Sequence, residues 1–344
     1  MKKASLPFLL FLILFCLSGT HLFSQAGQAV TTNPVGYVTI TINGTGGQGT
    51  EAFSYLGVPM HHEANFRGAI TAKADNSITC NNAAWTANAY ANTHFVMILS
   101  GDNTGMSATI TANTADTLTT AENLSSVLTG NEQFAIHKYT TIADVFGADN
   151  SAGLKASDGP GTADNILVQT GSNSFNTYYY KNAGLIGGTG WRSAASSSVD
   201  ASGTIIPHGS GIIAVRGESA DLKVSVMGSV FPEDVVTPVE QGFNWKTASL
   251  PVDVTLAGFF GANNEAGLKG SDGPGTADNV LVFDRSGNIT TYYYKNAGLI
   301  GGTGWRSAAS SSTDQADTVI AAPGSMFMIR RIDTAFNLTE KSPL

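Results

Sequence analysis

The sequence contains little cysteine and little charge. Two of its 344 residues are cysteine, and charged residues make up 13% of the chain, about half the usual share. Cys16 lies in an apolar N-terminal run that we expect to be removed, which leaves Cys80 alone. One cysteine cannot form an intramolecular disulfide. A disulfide-stapled fold is therefore excluded, and stability must come from packing, hydrogen bonds or bound ions.

Basic residues are also scarce, with 18 lysines and arginines against 26 aspartates and glutamates. This balance argues against nucleic acid and anionic membrane surfaces as partners, because both are bound by a basic face. After the N-terminal run no apolar segment is long enough for a membrane helix, so no transmembrane anchor is expected. The sequence has no G-x-S-x-G elbow, zincin motif or Walker loop. We therefore expect a protein that is not an enzyme, although a hydrolase whose carboxylates meet only in space is the remaining enzyme hypothesis.

The first 29 residues have the pattern of an export signal. Lys2 and Lys3 are followed by the apolar run 8–17, which is too short to anchor the chain in a bilayer. Small residues then allow cleavage after Ser24 or Ala29. The mature chain is expected to be exported to the periplasm, the cell surface or the extracellular medium.

Much of the remaining chain is a tandem repeat. Residues 146–198 align without a gap with residues 260–312, and 42 of these 53 positions are identical. The blocks AGLKxSDGPGTADN and TYYYKNAGLIGGTGWRSAASSS are almost unchanged. The period is too long for a solenoid repeat, so the pattern indicates two globular modules.

Each module has the same predicted order of elements. A short helix over 141–146 in the first copy, and over 255–260 in the second, ends at a glycine. A polar loop, a strand, a hairpin, the tyrosine strand at 177–181 and a glycine-rich loop follow. The first module closes with a strand at 211–216 and the second with a strand at 325–330.

An insertion splits the first module. A strand predicted at 243–252 directly precedes the second helix, whereas the similar strand at 53–60 lies about 80 residues before the first helix. Residues 63–136 are therefore predicted to form an inserted β subdomain. Further upstream, apolar and polar residues alternate over 37–42, as in a half-buried strand.

These patterns predict a mainly β fold: two tandem homologous β-sandwich or barrel-like modules with one short helix each, plus a small inserted β subdomain in the first. The predicted boundaries are a signal peptide at 1–29, a first module split into 30–62 and 137–217, an insert at 63–136, a linker at 218–242, a second module at 243–331 and a tail at 332–344.

Several motifs together resemble one protein family. They are TNPVGYVTI at 32–40, LGVP at 56–59, TITANTADTLT at 109–119 and the TYYY…GWR…PGS…R order of the modules. The family comprises uncharacterised, signal-peptide-bearing proteins of environmental Gram-negative bacteria. The resemblance covers nearly the whole mature chain and implies export and a β-rich fold. It implies no particular activity, cofactor or catalytic residue.

A repeated acidic loop, DGPGTADN, is the candidate metal site. Calcium takes six to eight oxygen ligands, and this loop offers two carboxylates, an asparagine amide and the carbonyls of a Gly-Pro-Gly turn. The alternative is that the aspartates cap turns through backbone amides. The candidate calcium ligands are Asp158, Asp164, Asn165, Asp272, Asp278 and Asn279. No other cofactor is expected.

Histidines offer a weaker metal hypothesis. His61 and His62 are adjacent, so on a strand they would point to opposite faces and would rarely bind one ion. His94, His137 and His208 lie in unrelated segments. A chance arrangement is the better interpretation.

A repeated aromatic set is the candidate ligand site. Such side chains near a cation could stack on sugar rings, and two copies would add avidity. The alternative is that the tryptophan fills the module core while the tyrosines cover a sheet. The candidate residues are Tyr178, Tyr180, Trp191, Arg192, Tyr292, Tyr294, Trp305 and Arg306.

The leading functional hypothesis is an exported, non-enzymatic structural or adhesive protein of the cell surface or extracellular matrix. The alternative is a tandem carbohydrate-binding protein, calcium-dependent if the acidic loops hold an ion, with polysaccharide or cell-surface components as partners. The structural hypothesis predicts that Trp191 and Trp305 are buried. The binding hypothesis predicts that both lie on an open face beside the tyrosines.

Overall fold

The computed structural model describes residues 33–171, 174–182, 187–296 and 301–342. In chain order the strands of this part are β1 (Val35–Ile42), β2 (Ala52–Gly57), β3 (Ala64–Ala69), β4 (Ala72–Ala74), β5 (Ser77–Thr79), β6 (His94–Ile98), β7 (Ser107–Asn113), β8 (Thr117–Thr120), β9 (Gln133–Lys138), β10 (Thr140–Thr141), β11 (Asn165–Gly171), β12 (Ser174–Lys181), β13 (Gly190–Ser193), β14 (Ile205–Ile206), β15 (Gly211–Arg216), β16 (Leu222–Ser229), β17 (Val235–Val239), β18 (Gly242–Thr247), β19 (Val254–Thr255), β20 (Asn279–Phe283), β21 (Ile289–Lys295), β22 (Gly304–Ser307), β23 (Val319–Ala321), β24 (Met326–Arg331) and β25 (Phe336–Glu340). Its helices are α1 (Ile142–Phe146) and α2 (Leu256–Phe260). The predicted mainly β fold with one short helix in each module is confirmed. The predicted signal peptide lies outside the described residues.

Both helices lie where the sequence predicts them, because their capping residues repeat. The Thr141 hydroxyl accepts a hydrogen bond from the Asp144 amide, and the Asp144 carboxylate accepts one from the Thr141 amide, which completes a capping box. Thr255 caps α2 through its own hydroxyl. Gly147 and Gly261, with φ of 85° and 86°, end the two helices.

One five-stranded antiparallel sheet forms the centre of each module. The order is β13-β12-β11-β15-β2 in the first and β22-β21-β20-β24-β18 in the second. Every strand of one sheet therefore has a counterpart in the other. β2, which precedes the insert in sequence, occupies the edge position that β18 holds in the second module.

The insert between β2 and β10 forms a sheet of its own. Its seven strands run in the order β3-β9-β6-β7-β8-β5-β4, and they span Ala64 to Lys138. Apolar side chains that include Val96, Ile110 and Phe134 fill a separate core against this sheet.

A two-stranded ribbon covers one face of each central sheet. β1 pairs with β16 in the first module, and β17 pairs with β25 in the second. These strands correct the sequence interpretation: the segment 218–242, predicted as a linker, contains β16 and β17, and the predicted tail 332–344 contains β25. Each module is therefore longer than the aligned repeat.

The two modules pack through the other faces of their central sheets. Tyr55 and Ile213 of the first module and Trp245 and Met326 of the second belong to one shared apolar cluster. Tyr55 and Trp245 stack with ring centroids 5.8 Å apart. A side chain on Gly211 would collide with Met326, so glycine is needed there for the sheets to approach. The modules form one four-layered body.

Reciprocal contacts relate the two modules by a pseudo-two-fold axis. The amide of Gly57 donates to the carbonyl of Gly324 over 2.9 Å, and the amide of Thr247 donates to the carbonyl of Gly209 over 3.1 Å. Gly57 and Thr247 end equivalent strands, while Gly209 and Gly324 lie in equivalent turns. Each contact is thus repeated with the roles of the modules exchanged, as at a two-fold interface between identical subunits.

Candidate functional site

The two repeated tryptophans lie inside the module cores. Trp191 and Trp305 are both 0% exposed. The indole N–H of Trp191 donates to the carbonyl of Gly147 over 2.8 Å, and that of Trp305 donates to the carbonyl of Gly261 over 2.9 Å. Each tryptophan therefore fixes the glycine that ends the helix beside it.

One repeated tyrosine of each module packs directly against its tryptophan. Tyr180 contacts Trp191 edge-on with ring centroids 5.5 Å apart, and Tyr294 contacts Trp305 in the same way at 5.3 Å. Tyr178 and Tyr292 are buried in the same two cores. The two tryptophans therefore do not lie on the open face that the sugar-binding hypothesis predicts.

The arginine beside each tryptophan binds its own loop. The Arg192 guanidinium donates to the carbonyls of Trp191 over 2.7 Å, Ser197 over 3.1 Å and Thr189 over 3.3 Å. Arg306 makes the equivalent bonds in the second module. Each arginine is less than 10% exposed, and its guanidinium bonds to nearby backbone carbonyls of its own module.

In the acidic loops, one aspartate of each copy is buried in an ion pair. The Asp164 carboxylate binds the Arg216 guanidinium and accepts from the Lys155 amide over 2.9 Å. Asp278 binds Arg331 in the same way. A buried pair of this kind is costly to break, since either charge alone would be left without a partner.

The other candidate calcium ligands are either exposed or hydrogen-bonded to the backbone of the same loop. Asp158 is exposed and lies 3.6 Å from the Lys181 ammonium, and the Asn165 amide donates to the carbonyl of Pro160 over 2.9 Å. In the second copy Asp272 is likewise exposed, and the Asn279 amide donates to the carbonyl of Pro274. Arginine and backbone amides therefore occupy the carboxylates of the two buried aspartates, whereas Asn165 Oδ1 is buried without a hydrogen-bond partner among the described residues.

We expect millimolar calcium to leave the thermal unfolding midpoint of the mature protein unchanged, with or without prior chelation. The reason is that Asp164 and Asp278 are neutralised by arginine, which leaves one exposed carboxylate in each loop. Differential scanning calorimetry checks this. A rise of several degrees on adding calcium would show that an ion binds the folded state.

Three histidines from distant segments, of which His61 and His137 are buried and His208 is half-buried, form a cluster that sequence patterns do not reveal. His61 stacks on Phe231 with ring centroids 4.0 Å apart, and His208 stacks on Phe95 at 4.6 Å. His137 lies between the same two phenylalanines. His62 points elsewhere and lies 3.2 Å from Asp144, as expected for neighbours on extended backbone.

The histidine cluster is short of hydrogen-bond partners. Within the described residues, His61 Nε2 and His208 Nδ1 are buried without one. Both histidines line a cavity of about 10 Å³, close to the smallest size that can hold one water. Burial lowers the pKa of His61 well below its usual value and lowers the pKa of His137 and of His208 to about 4. The cluster is therefore neutral at neutral pH.

Comparisons with known proteins add no functional assignment, since no family model, curated protein or solved structure matches the chain. In the described part of the chain, neither helix approaches the length or apolar character needed to cross a membrane.

Proposed function

We propose that the protein is exported and has a structural or adhesive role at the bacterial cell surface or in the extracellular matrix. The observation that carries the proposal is the burial of the repeated aromatic and arginine side chains, which makes each module a packed structural unit. The shared apolar cluster between the central sheets then joins the two modules.

An exposed apolar patch on the first ribbon supports an adhesive contribution. Val35 and Tyr37 are each 72% exposed and Met227 is 81% exposed, and Tyr37 and Met227 are cross-strand partners. The equivalent end of the second ribbon carries the ion pair between Asp234 and Lys341. Clustered exposed apolar side chains are typical of contact surfaces.

Protease treatment of intact cells tests this role. The gene with a C-terminal epitope tag is expressed in the bacterium that encodes it, and the cells are then fractionated. We expect a shortened, tagged chain at the cell surface or in the matrix that external protease removes, and weaker surface attachment of a deletion strain. Retention of the full-length chain in the cytoplasm would contradict the proposal.

Substitution of the patch tests whether the protein itself makes adhesive contacts or is only present at the cell surface. The double variant Tyr37→Ser/Met227→Ser should be exported normally and should restore less attachment to the deletion strain than the wild-type gene. The matched control, Asp234→Ser/Lys341→Ser, alters the equivalent place on the second ribbon and should restore attachment fully. Equal attachment by both variants would show that the exposed apolar patch does not contribute to adhesion.

A further inference from the structure

A groove lies where the insert, the first module and the second ribbon meet. Its volume is about 470 Å³, within the range of small-ligand sites. Its walls come from β7, the loop after β8, the turn after β14 and the ribbon strands β17 and β25. We call it the insert groove. Its lining includes Ser107, Glu122, His208, Val236 and Asn337.

The pseudo-two-fold axis places a second groove at the equivalent position, which we call the open groove. It has a volume of about 410 Å³ and lies between β1 and the turn after β23. Thr39 in β1 is the equivalent of Val236 in β17, since each stands three residues before the last buried residue of its strand. The open groove thus provides an internal comparison within the same chain.

Two features found only in the first module meet in the insert groove. One is the insert itself. The other is His208, an extra residue in a turn that reads PHGS in the first copy and PGS in the second. Ser107 Oγ of the insert lies 3.1 Å from His208 Nε2, and the Val236 amide donates to the carbonyl of Gly105 over 3.1 Å. The departures from the repeat therefore converge on one groove.

The lining of the insert groove fits a neutral ligand that is rich in hydroxyl groups. Among the described residues no lysine or arginine lines it, whereas Arg285 lines the open groove. The Glu122 carboxylate adds negative charge at the wall, which disfavours phosphate and other anions. The remaining polar groups are neutral donors and acceptors, such as the Ser107 hydroxyl and the Asn337 amide. Burial keeps His208 neutral as well.

Apolar side chains complete the lining between these polar groups. Leu124, Ile205 and Pro207 lie in the same walls as Glu122 and Ser107. A sugar ring offers hydroxyl groups at its edge and C–H groups on its faces, so it matches a wall of this mixed kind. Small-ligand sites are usually concave surfaces that are mainly apolar and carry a small number of polar groups.

We propose that the insert groove binds a neutral saccharide unit, with its hydroxyl groups on Glu122, Asn337 and Ser107 and its C–H faces on the apolar walls. This site is distinct from the repeated aromatic residues. It goes beyond the proposed scaffold role, which needs no ligand, and it is independent of the compartment that the protein occupies.

A glycan array that carries neutral and acidic polysaccharides tests the proposal with the purified mature chain. We expect saturable binding to at least one neutral glycan. On that same immobilised glycan, Glu122→Gln and Asn337→Ala should each bind about tenfold more weakly, as expected for one lost hydrogen bond. Val236→Trp, which fills the groove, should abolish binding.

The matched control is Thr39→Trp, which fills the open groove at the equivalent position and should bind as the wild type does. Glu122 and Asn337 are exposed, so their variants test the site even if Val236→Trp fails to fold. Binding to acidic glycans alone, binding to none, or equal loss in both tryptophan variants would overturn the proposal. None of these results bears on export, which the fractionation experiment tests separately.

Discussion

Replacing Trp191 with alanine is expected to lower the free energy of unfolding by about 3–5 kcal/mol, the usual cost of removing a large buried aromatic side chain. Trp191 is 0% exposed, and its indole N–H caps the end of α1 through Gly147. The repeat provides an independent second test, because Trp305→Ala should have the same effect through Gly261. Urea unfolding followed by circular dichroism measures both.

Two control variants separate loss of packing from loss of a binding surface. Trp191→Phe keeps most of the apolar volume and should cost less than the alanine variant. Tyr37→Ala removes an aromatic ring that is 72% exposed, and it should change the unfolding free energy by less than about 0.5 kcal/mol. A Trp191→Ala variant that unfolds like the wild type but loses ligand binding would contradict the assignment of this residue to the core.

Acid should destabilise the protein through its histidine cluster as the pH falls from about 6.5 towards 4. The pKa of His137 and of His208 is about 4 in the folded state, below the value of about 6.5 in an unfolded chain. The unfolded state therefore binds more protons in this interval, so stability falls as pH falls. At pH 4 each of these two histidines accounts for a loss of up to about 3 kcal/mol in the free energy of unfolding. Urea unfolding midpoints at pH 7, 5 and 4 measure the loss.

The surroundings of the cluster explain why protonation is unfavourable. Desolvation is the main cause, and the nearby positive charges are Lys246 beside His208 and Arg67 beside His137. The double variant His137→Gln/His208→Gln should therefore lose much less stability between pH 7 and 4 than the wild type. The carboxylate of Glu132, whose pKa is about 2 because it accepts several hydrogen bonds, keeps its stabilising charge across this interval. Burial raises the pKa of Glu340 to about 7, so this carboxylate takes up a proton in the folded state and offsets part of the loss in both proteins. An unchanged pH dependence in the double variant would refute this explanation.

The central sheets were predictable because strand signals and the repeat agree. The tyrosine strands β12 and β21 recur almost unchanged in the two copies, and the capping threonine and terminal glycine of each helix lie within the aligned or adjacent sequence. The origin of the insert was also readable, since the β2 sequence resembles the β18 sequence but stands far upstream. Local pattern and duplication together were sufficient for this part of the fold.

Three of the four ribbon strands, β16, β17 and β25, were missed because their sequences have diverged and their partners are distant. In β16, Leu222, Val224 and Val226 do alternate with polar residues, a signal that could have identified the strand. β17 contains Pro238, which argues against a strand unless it lies at an edge. β1 and β16 are separated by almost the whole first module, so their pairing depends on contacts that no local pattern encodes.

The role of the aromatic repeat could not be settled from alternation alone. A strand whose side chains alternate between two faces has an open face only if one side of its sheet is uncovered. Here Tyr178 faces the module core, and Tyr179, on the opposite face, is also 1% exposed. The insert groove was equally hidden, because Ser107 and His208 lie 101 positions apart and meet only in the folded chain.

Hydrogen exchange of the indole N–H groups tests the packed-core account most directly. Nitrogen-15 labelling of tryptophan gives one indole signal for each of the four tryptophans, and Trp191→Phe and Trp305→Phe variants assign two of them. We predict that these two indole N–H groups exchange only through global unfolding of the protein, because each is buried and bonded to a glycine carbonyl. Exchange of either signal at the rate of a solvent-exposed indole would contradict the account.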